Sequence, residues 1–381
     1  MPIHLKEPNV QALTITNGQA LINGALVPAD IFVSEGRITD AAAPHARRVD
    51  ASGLLVLPGI VDIHGDAFER QIQPRPGVNF PFDLALADTE RQLLANGITT
   101  AFHGVTLSWE PGLRGVETWR ALLDALDAHH GTCDMRVHLR WEAFNLDALD
   151  TAVADIAAGR VHLLAFNDHT PSILQRLGDD AKTSKYSERG NMTLADFRDL
   201  AHRVAARAAE VPASLDRIAQ AARAAGLPMA SHDDDSVATR AHFRAQGAAI
   251  CEFPMAEAVG RTAIAAGEAV VMGAPNVVRG GSHLGWASAA LMAEAGVCSV
   301  LASDYYYPAM LRAAFILAGR GVLSLPQAWA LISENPARAG KLDDRGVIGS
   351  GKRGDLVIVD AQGTLRATIV AGRIAWSAPG F

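Results

Sequence analysis

Eight short apolar runs, each followed by a stretch with apolar residues at helical spacing, restrict this chain to very few folds. The runs are Ile60 to His64, Ile98 to His103, Met135 to Trp141, Val161 to Phe166, Pro228 to His232, Ala248 to Phe253, Ala269 to Met272 and Val297 to Ser303. Strand runs alternating with helical segments build a parallel sheet from βα units. Eight such units are enough to close an α/β barrel of the (β/α)8, or TIM, type.

The ends have a different texture. From Ala12 to Leu57, short β-like runs alternate with turn signals such as Asn23-Gly24 and Glu35-Gly36, and Asp355 to Val370 reads the same way. The expectation is a small discontinuous β-sandwich domain made by residues 1–57 and 343–381 around a barrel at 58–342. A length of 381 residues suits one barrel plus such a satellite. One connection stands out: Thr170 to Val211 is long and contains the polar stretch Lys182 to Gly190, so it is expected to form a lid over the site.

A net charge of −7 speaks against a broad nucleic-acid surface but leaves room for a local basic pocket. Cys133, Cys251 and Cys298 are odd in number, far apart and set in apolar runs, which fits a reduced, cytoplasmic location without a disulfide framework. Neither a signal peptide nor a membrane span is read. Monomer and homodimer both remain open.

The chemistry collects at the expected strand ends, where barrel enzymes place their catalytic groups. The first strand ends in His64-Gly65-Asp66, whose alternation puts His64 and Asp66 on one side and able to share a metal ion. A hydrogen-bonded pair explains His64 and Asp66 equally well in isolation. The fifth strand ends in His232 ahead of Asp233, Asp234 and Asp235, of which one or two would serve as helix N-caps. On the third strand Glu142 can reach the mouth, either bridging metals or pairing with Arg140. Glu252 ends the sixth strand in apolar company, where a carboxylate needs a partner or an ion. Asp304 follows the eighth strand, placed to bind metal, to take a proton from an attacking water, or to cap the next helix. Asn167-Asp168-His169 is a weaker signal. His103, His138, His162 and His283 read individually as structural histidines or substrate contacts.

Taken together, the split β module, Pro58-Gly59 entering the barrel, His64, His232 and Asp304 resemble the amidohydrolase superfamily over nearly the whole chain. Five stretches are more specific: residues 64–70, 74–77, 108–112, 231–234 and 273–283. They are similar to the PhnM-type alpha-D-ribose 1-methylphosphonate 5-triphosphate diphosphatases of phosphonate catabolism. That resemblance implies a metal-dependent hydrolase that releases pyrophosphate from a triphosphorylated small molecule and leaves a 5-phosphate. Two departures from the superfamily pattern matter: His-x-His becomes His64-x-Asp66, and Glu252 stands where a histidine is usual. Both harden the site by replacing nitrogen with oxygen. No lysine follows strand four, so Glu142 is the candidate bridge.

The resulting expectation is that His64, Asp66, Glu142, His232 and Glu252 hold one or two divalent ions, with zinc first and manganese, iron or magnesium as substitutes. Asp304 acts as the base. Arg70, Arg75, His169, Lys182, Lys185, Arg189, Arg279 and His283 contact the anionic substrate, with the amides near Gly280-Gly281 as an anion nest. The rivals are a deaminase or cyclic-amide hydrolase using the same metal centre, and a non-catalytic barrel subunit of a phosphonate-processing complex.

Overall fold

The computed structural model describes residues 12–281 and 288–381. At its centre eight parallel strands run in sequence order: Ile60–Gly65, Ile98–Leu107, Asp134–Glu142, Leu163–Asn167, Met229–His232, Ile250–Glu252, Ala269–Gly273 and Val300–Ala302. The eighth meets the first through a bridge between Gly65 and Asp304, which nearly closes the barrel. Each expected strand is present, with ends moved by a few residues.

These strands are buried on both faces, which is why they read as near-continuous apolar runs rather than as alternating ones. On the fourth strand Leu164 and Phe166 face the surrounding helices, Phe166 stacking on Phe243, whereas Leu163 and Ala165 join Phe102, Ala230, Ile250, Val271 and Val300 in the barrel interior. Apolar residues, Phe102 among them, fill the interior below the mouth.

Two further sheets carry both ends of the chain. One holds Ile31–Ser34, Leu13–Thr16 and their neighbours; the other places Leu55–Pro58 beside Leu356–Val359, joining N- and C-terminal strands. Leu13, Ile15 and Val33 from the first pack with Val56, Leu356 and Ile369 from the second. Hydrogen bonds from Gly59 N to Asp355 O (2.8 Å) and from Trp329 Nε1 to Pro58 O (3.0 Å) fasten this module to the barrel.

The long connection after the fourth strand is not a loop. It folds into helices Thr170–Arg176, Asp180–Arg189 and Leu194–Ala205 with a small core of Ile173, Leu177, Tyr186, Phe197 and Ala201. Thr183, Tyr186 and Ser187 are the buried residues of the middle helix, a helical spacing carried by residues too polar to stand out in sequence. This insert is pinned to the loop after the second strand. Trp109 donates to Thr170 Oγ1 (2.9 Å) and stacks on Phe197, and Gly112, at φ +80°, leaves no space for a Cβ against the Arg189 carbonyl. The expected lid segment is a helical insert in contact with the barrel. Among the described residues, no helix is long and apolar enough to cross a membrane.

Candidate metal centre and anion site

The strand tips meet around Glu252. Its Oε2 lies 3.0 Å from His64 Nδ1, 3.4 Å from His232 Nδ1 and 3.8 Å from His138 Nε2. The rings of His64 and His232 stack at 5.1 Å, and Phe253 packs edge-on against both, forming an apolar wall. Burial, aided by the positive charge of Arg140, holds His64 and His232 well below the usual histidine range, so both imidazoles are neutral, the form that binds metals. Burial also pushes the Glu252 carboxyl up to about 7, with His138 and Arg140 opposing the rise.

The donor set fits a divalent cation on its own evidence. His64, His232 and Glu252 can converge on one ion, and so can His169, His232 and Asp233. Glu252 Oε1 and His138 Nε2 are buried without a hydrogen-bond partner, and His64 Nδ1, though close to Glu252, is not aligned for a hydrogen bond. Buried polar atoms left in this way are costly unless something else satisfies them. Two or more nitrogens with carboxylate oxygens suit zinc and its first-row neighbours.

The other candidates fall into place around this trio. A register shift lies between Asp62 and Gly65, and His64 turns to Glu252 while Asp66 faces Arg140 Nη1 at 3.5 Å. Arg140 also reaches His232 Nε2 at 3.0 Å, so it links Asp66 to His232. Burial raises Asp66 to about 6, a rise reinforced by Glu69 and countered by Arg140, Arg114 and Arg70. Glu142 is buried and pairs with His169, whose backbone N–H it also accepts at 3.1 Å. The alternative pairing of Glu142 with Arg140 gives way to this histidine. Burial lifts Asp304 to about 7, with the negative charge of Asp66 adding to it.

Three tips share a backbone feature. Asp233, Phe253 and Asp304, each immediately after a barrel strand or one residue beyond it, have φ of 58°, 50° and 56°. Non-glycine residues in this left-handed region carry strain and cluster at functional sites. Here main-chain bonds hold them: Asp233 N to Glu252 O (2.9 Å), Phe253 N to Val271 O (2.9 Å), and Asp304 N to His64 O (2.9 Å).

Asp304 does not cap a helix, since the next one, Ala309–Gly319, starts after Pro308. The aspartates after His232 do not cap either: Ser236 is the N-cap, Asp234 is buried against Ser231 and Arg240, and Asp235 accepts from Thr239.

The cations are rearranged relative to expectation. Arg70 and Arg279 flank Tyr305, the former on its carbonyl oxygen and the latter on its hydroxyl at 3.3 Å, next to Asp304. Lys182 is exposed and pairs with Asp179 at 3.1 Å, and Lys185 lies over the Tyr186 ring on its own helix, so neither is aimed at the centre. Arg75 is exposed in a turn with Val78. The expected nest fails because the amides of Gly280 and Gly281 bond the carbonyls of Val277 and Asn276, capping the helix Ala274–Arg279. His283 lies outside the described residues. Sequence reading missed Arg114, which grips Glu69 through two bonds of 3.1 and 3.0 Å, and the pairing of Glu110 with Arg189. The pair of motifs containing Glu69 and Glu110 was the available signal.

A parallel barrel with a terminal β module, and imidazoles and carboxylates at its strand tips, defines a hydrolase class, and the amidohydrolase family model matches residues 55–375. The chain belongs to the amidohydrolase family, whose members generally work with divalent metal ions. It is 32% identical over 357 residues, 91% of this chain and 94% of the relative, to the alpha-D-ribose 1-methylphosphonate 5-triphosphate diphosphatase of Escherichia coli strain K12. Among solved structures it resembles molinate hydrolase (TM-score 0.65, 16% identity, 96% of this chain and 94% of the other). It also resembles the beta-aspartyl dipeptidase of Fervidobacterium islandicum (TM-score 0.64, 14% identity, 96% and 97%). These structural likenesses establish the fold.

Proposed function

We propose that this protein is a metal-dependent diphosphatase that hydrolyses alpha-D-ribose 1-methylphosphonate 5-triphosphate to the 5-phosphate and pyrophosphate in phosphonate catabolism. The observation that carries the reading is the placement of a neutral imidazole and carboxylate cluster beside a group of arginines. Arg140 reaches the cluster itself, Arg70 meets the carbonyl of Tyr305, the residue after Asp304, and Arg279 meets the Tyr305 hydroxyl. An amide or amidine substrate has no use for such positive charge, whereas a triphosphate does.

His64, His232 and Glu252 would hold one divalent ion, zinc by donor type, with Asp66, Glu142 through His169, and Asp233 available for a second. When bound, such an ion lowers the pKa of water and offsets phosphate charge. The chain's own residues do the rest. Asp304, with a carboxyl near neutrality, takes the proton of the attacking water at its side-chain oxygen. Arg70 and Arg279 orient the chain of phosphates, and their fixed charge offsets negative charge as it develops. Phe253 keeps bulk water from the imidazole side. Three free, buried cysteines accord with work in the reducing cytoplasm.

Phosphorus NMR of the purified protein with ribosyl 5-triphosphates tests this. The expected result is equimolar pyrophosphate and 5-phosphate. Stepwise release of single phosphates, or turnover of a lactam or aminopurine instead, would overturn it.

A further inference from the structure

The two lysines expected on the insert, Lys182 and Lys185, are not aimed at the centre, but Arg189 on the same helix forms a pair with Arg114 where the insert meets the barrel. Arg114 follows the second strand and uses Nε and Nη2 on Glu69, which follows the first. Arg189 ends the helix Asp180–Arg189 and pairs through Nη2 with Glu110, four residues before Arg114. Gly112 lies against the carbonyl of Arg189, so the two arginines are drawn into one corner. Their charges overlap: Arg114, Arg189 and Arg140 together outweigh burial and hold the Glu69 carboxyl below its usual range.

We propose that Arg114 and Arg189, held by Glu69 and Glu110, form a subsite for a diphosphate group, the pyrophosphate half of a triphosphate chain. The assignment of a triphosphate rests on the diphosphatase reading; the diphosphate subsite rests on geometry. Two features distinguish it from a purely structural ion-pair network. First, the donors are not used up. The Nε atoms of Arg189 and Arg140 are buried without a hydrogen-bond partner, and the fork of Arg114 on Glu69 leaves its Nη1 for another acceptor. Second, the corner adjoins the candidate metal centre. Arg140, whose charge also acts on Glu69, reaches Asp66 and His232 at the strand tips. A polyanion supplies the missing acceptors, and planar guanidiniums bind non-bridging phosphate oxygens in pairs.

The test is calorimetric binding of inorganic pyrophosphate and of inorganic phosphate to the protein with its metal, for parent, Arg114→Gln, Arg189→Gln and the two lysine variants. Each glutamine variant is expected to weaken pyrophosphate binding by about tenfold or more, the loss of one charge-assisted contact. Phosphate binding should change much less, and lysine should restore part of the loss. A purely structural role would move both ligands alike. Should Arg114→Gln fail to fold because Glu69 is left buried and unpaired, Arg189→Gln, at the more open edge, decides alone. Pyrophosphate affinity equal to the parent's in a folded Arg189→Gln variant overturns the subsite even where the triphosphate is hydrolysed. Arginine-dependent pyrophosphate binding without triphosphate hydrolysis supports the subsite and removes the diphosphatase reading instead.

Discussion

Arg140 places Nη2 3.0 Å from Nε2 of His232. A guanidinium can only donate, so in the metal-free protein Nε2 accepts and the ring proton sits on Nδ1, facing Glu252 Oε2 at 3.4 Å; an ion held through Nδ1 would move that proton to Nε2 and release Arg140 to Asp66. One buried arginine thus sets a histidine tautomer and, through Asp66 at 3.5 Å, ties the first strand to the third and fifth.

Replacing Arg140 by Met should therefore destabilise the protein by about 2 kcal/mol or more, because Asp66 and His232 each lose a buried partner. Urea unfolding followed by circular dichroism measures this. An unchanged midpoint would show that Arg140 contributes nothing to holding the strand tips.

His64→Asn and His232→Asn are each expected to lose bound metal and turnover together, since each removes a nitrogen facing Glu252. Elemental analysis after dialysis gives the readout. Full metal content with normal turnover in either variant contradicts the assignment.

How much of this was legible in the sequence depends on distance along the chain. The barrel was, because strands buried on both faces leave apolar runs, and His232 and Glu252 were, because they end such runs. The link through Arg140 and the capture of Glu142 by His169 were not, since each joins side chains from different strands and depends on which rotamer the packing allows. The left-handed turns at Asp233, Phe253 and Asp304 leave no mark in residue type, as none is glycine. Gly280-Gly281 misled in the opposite way: flexible glycines suggested an anion nest, but a helix end consumed their amides first.

Trp109→Ala tests whether the helical insert is docked. The indole gives up a 2.9 Å hydrogen bond to Thr170 and its stacking on Phe197, so about 2 kcal/mol of local stability should go, less than for a fully buried tryptophan. The global unfolding midpoint should move little if the insert opens on its own. Limited proteolysis ought to cut between 170 and 205 much faster than in the parent. Equal cleavage rates would mean that other contacts hold the insert.

Asp304 makes a two-part prediction. Its carboxyl stands at about 7 against an ordinary 3.8, because burial and then the charge of Asp66 disfavour ionisation. A group raised on folding gives stability that is complete below its unfolded pKa and is lost as pH rises through the folded one. In metal-stripped protein, Asp304→Asn has no such titration at this position. Its melting temperature should therefore draw ahead of the parent's as pH climbs from about 4 to 7 and keep a constant lead above that. The same substitution in metal-loaded protein should leave the metal bound yet slow hydrolysis by about a hundredfold or more, because the proton acceptor is gone. Parent activity should rise with pH on its acid limb as this carboxyl ionises, and the variant should lack that limb. If the variant keeps the parent's turnover and acid limb, another group accepts the proton, and Asp304 is reduced to closing the barrel through its backbone bonds to His64 and Asp66.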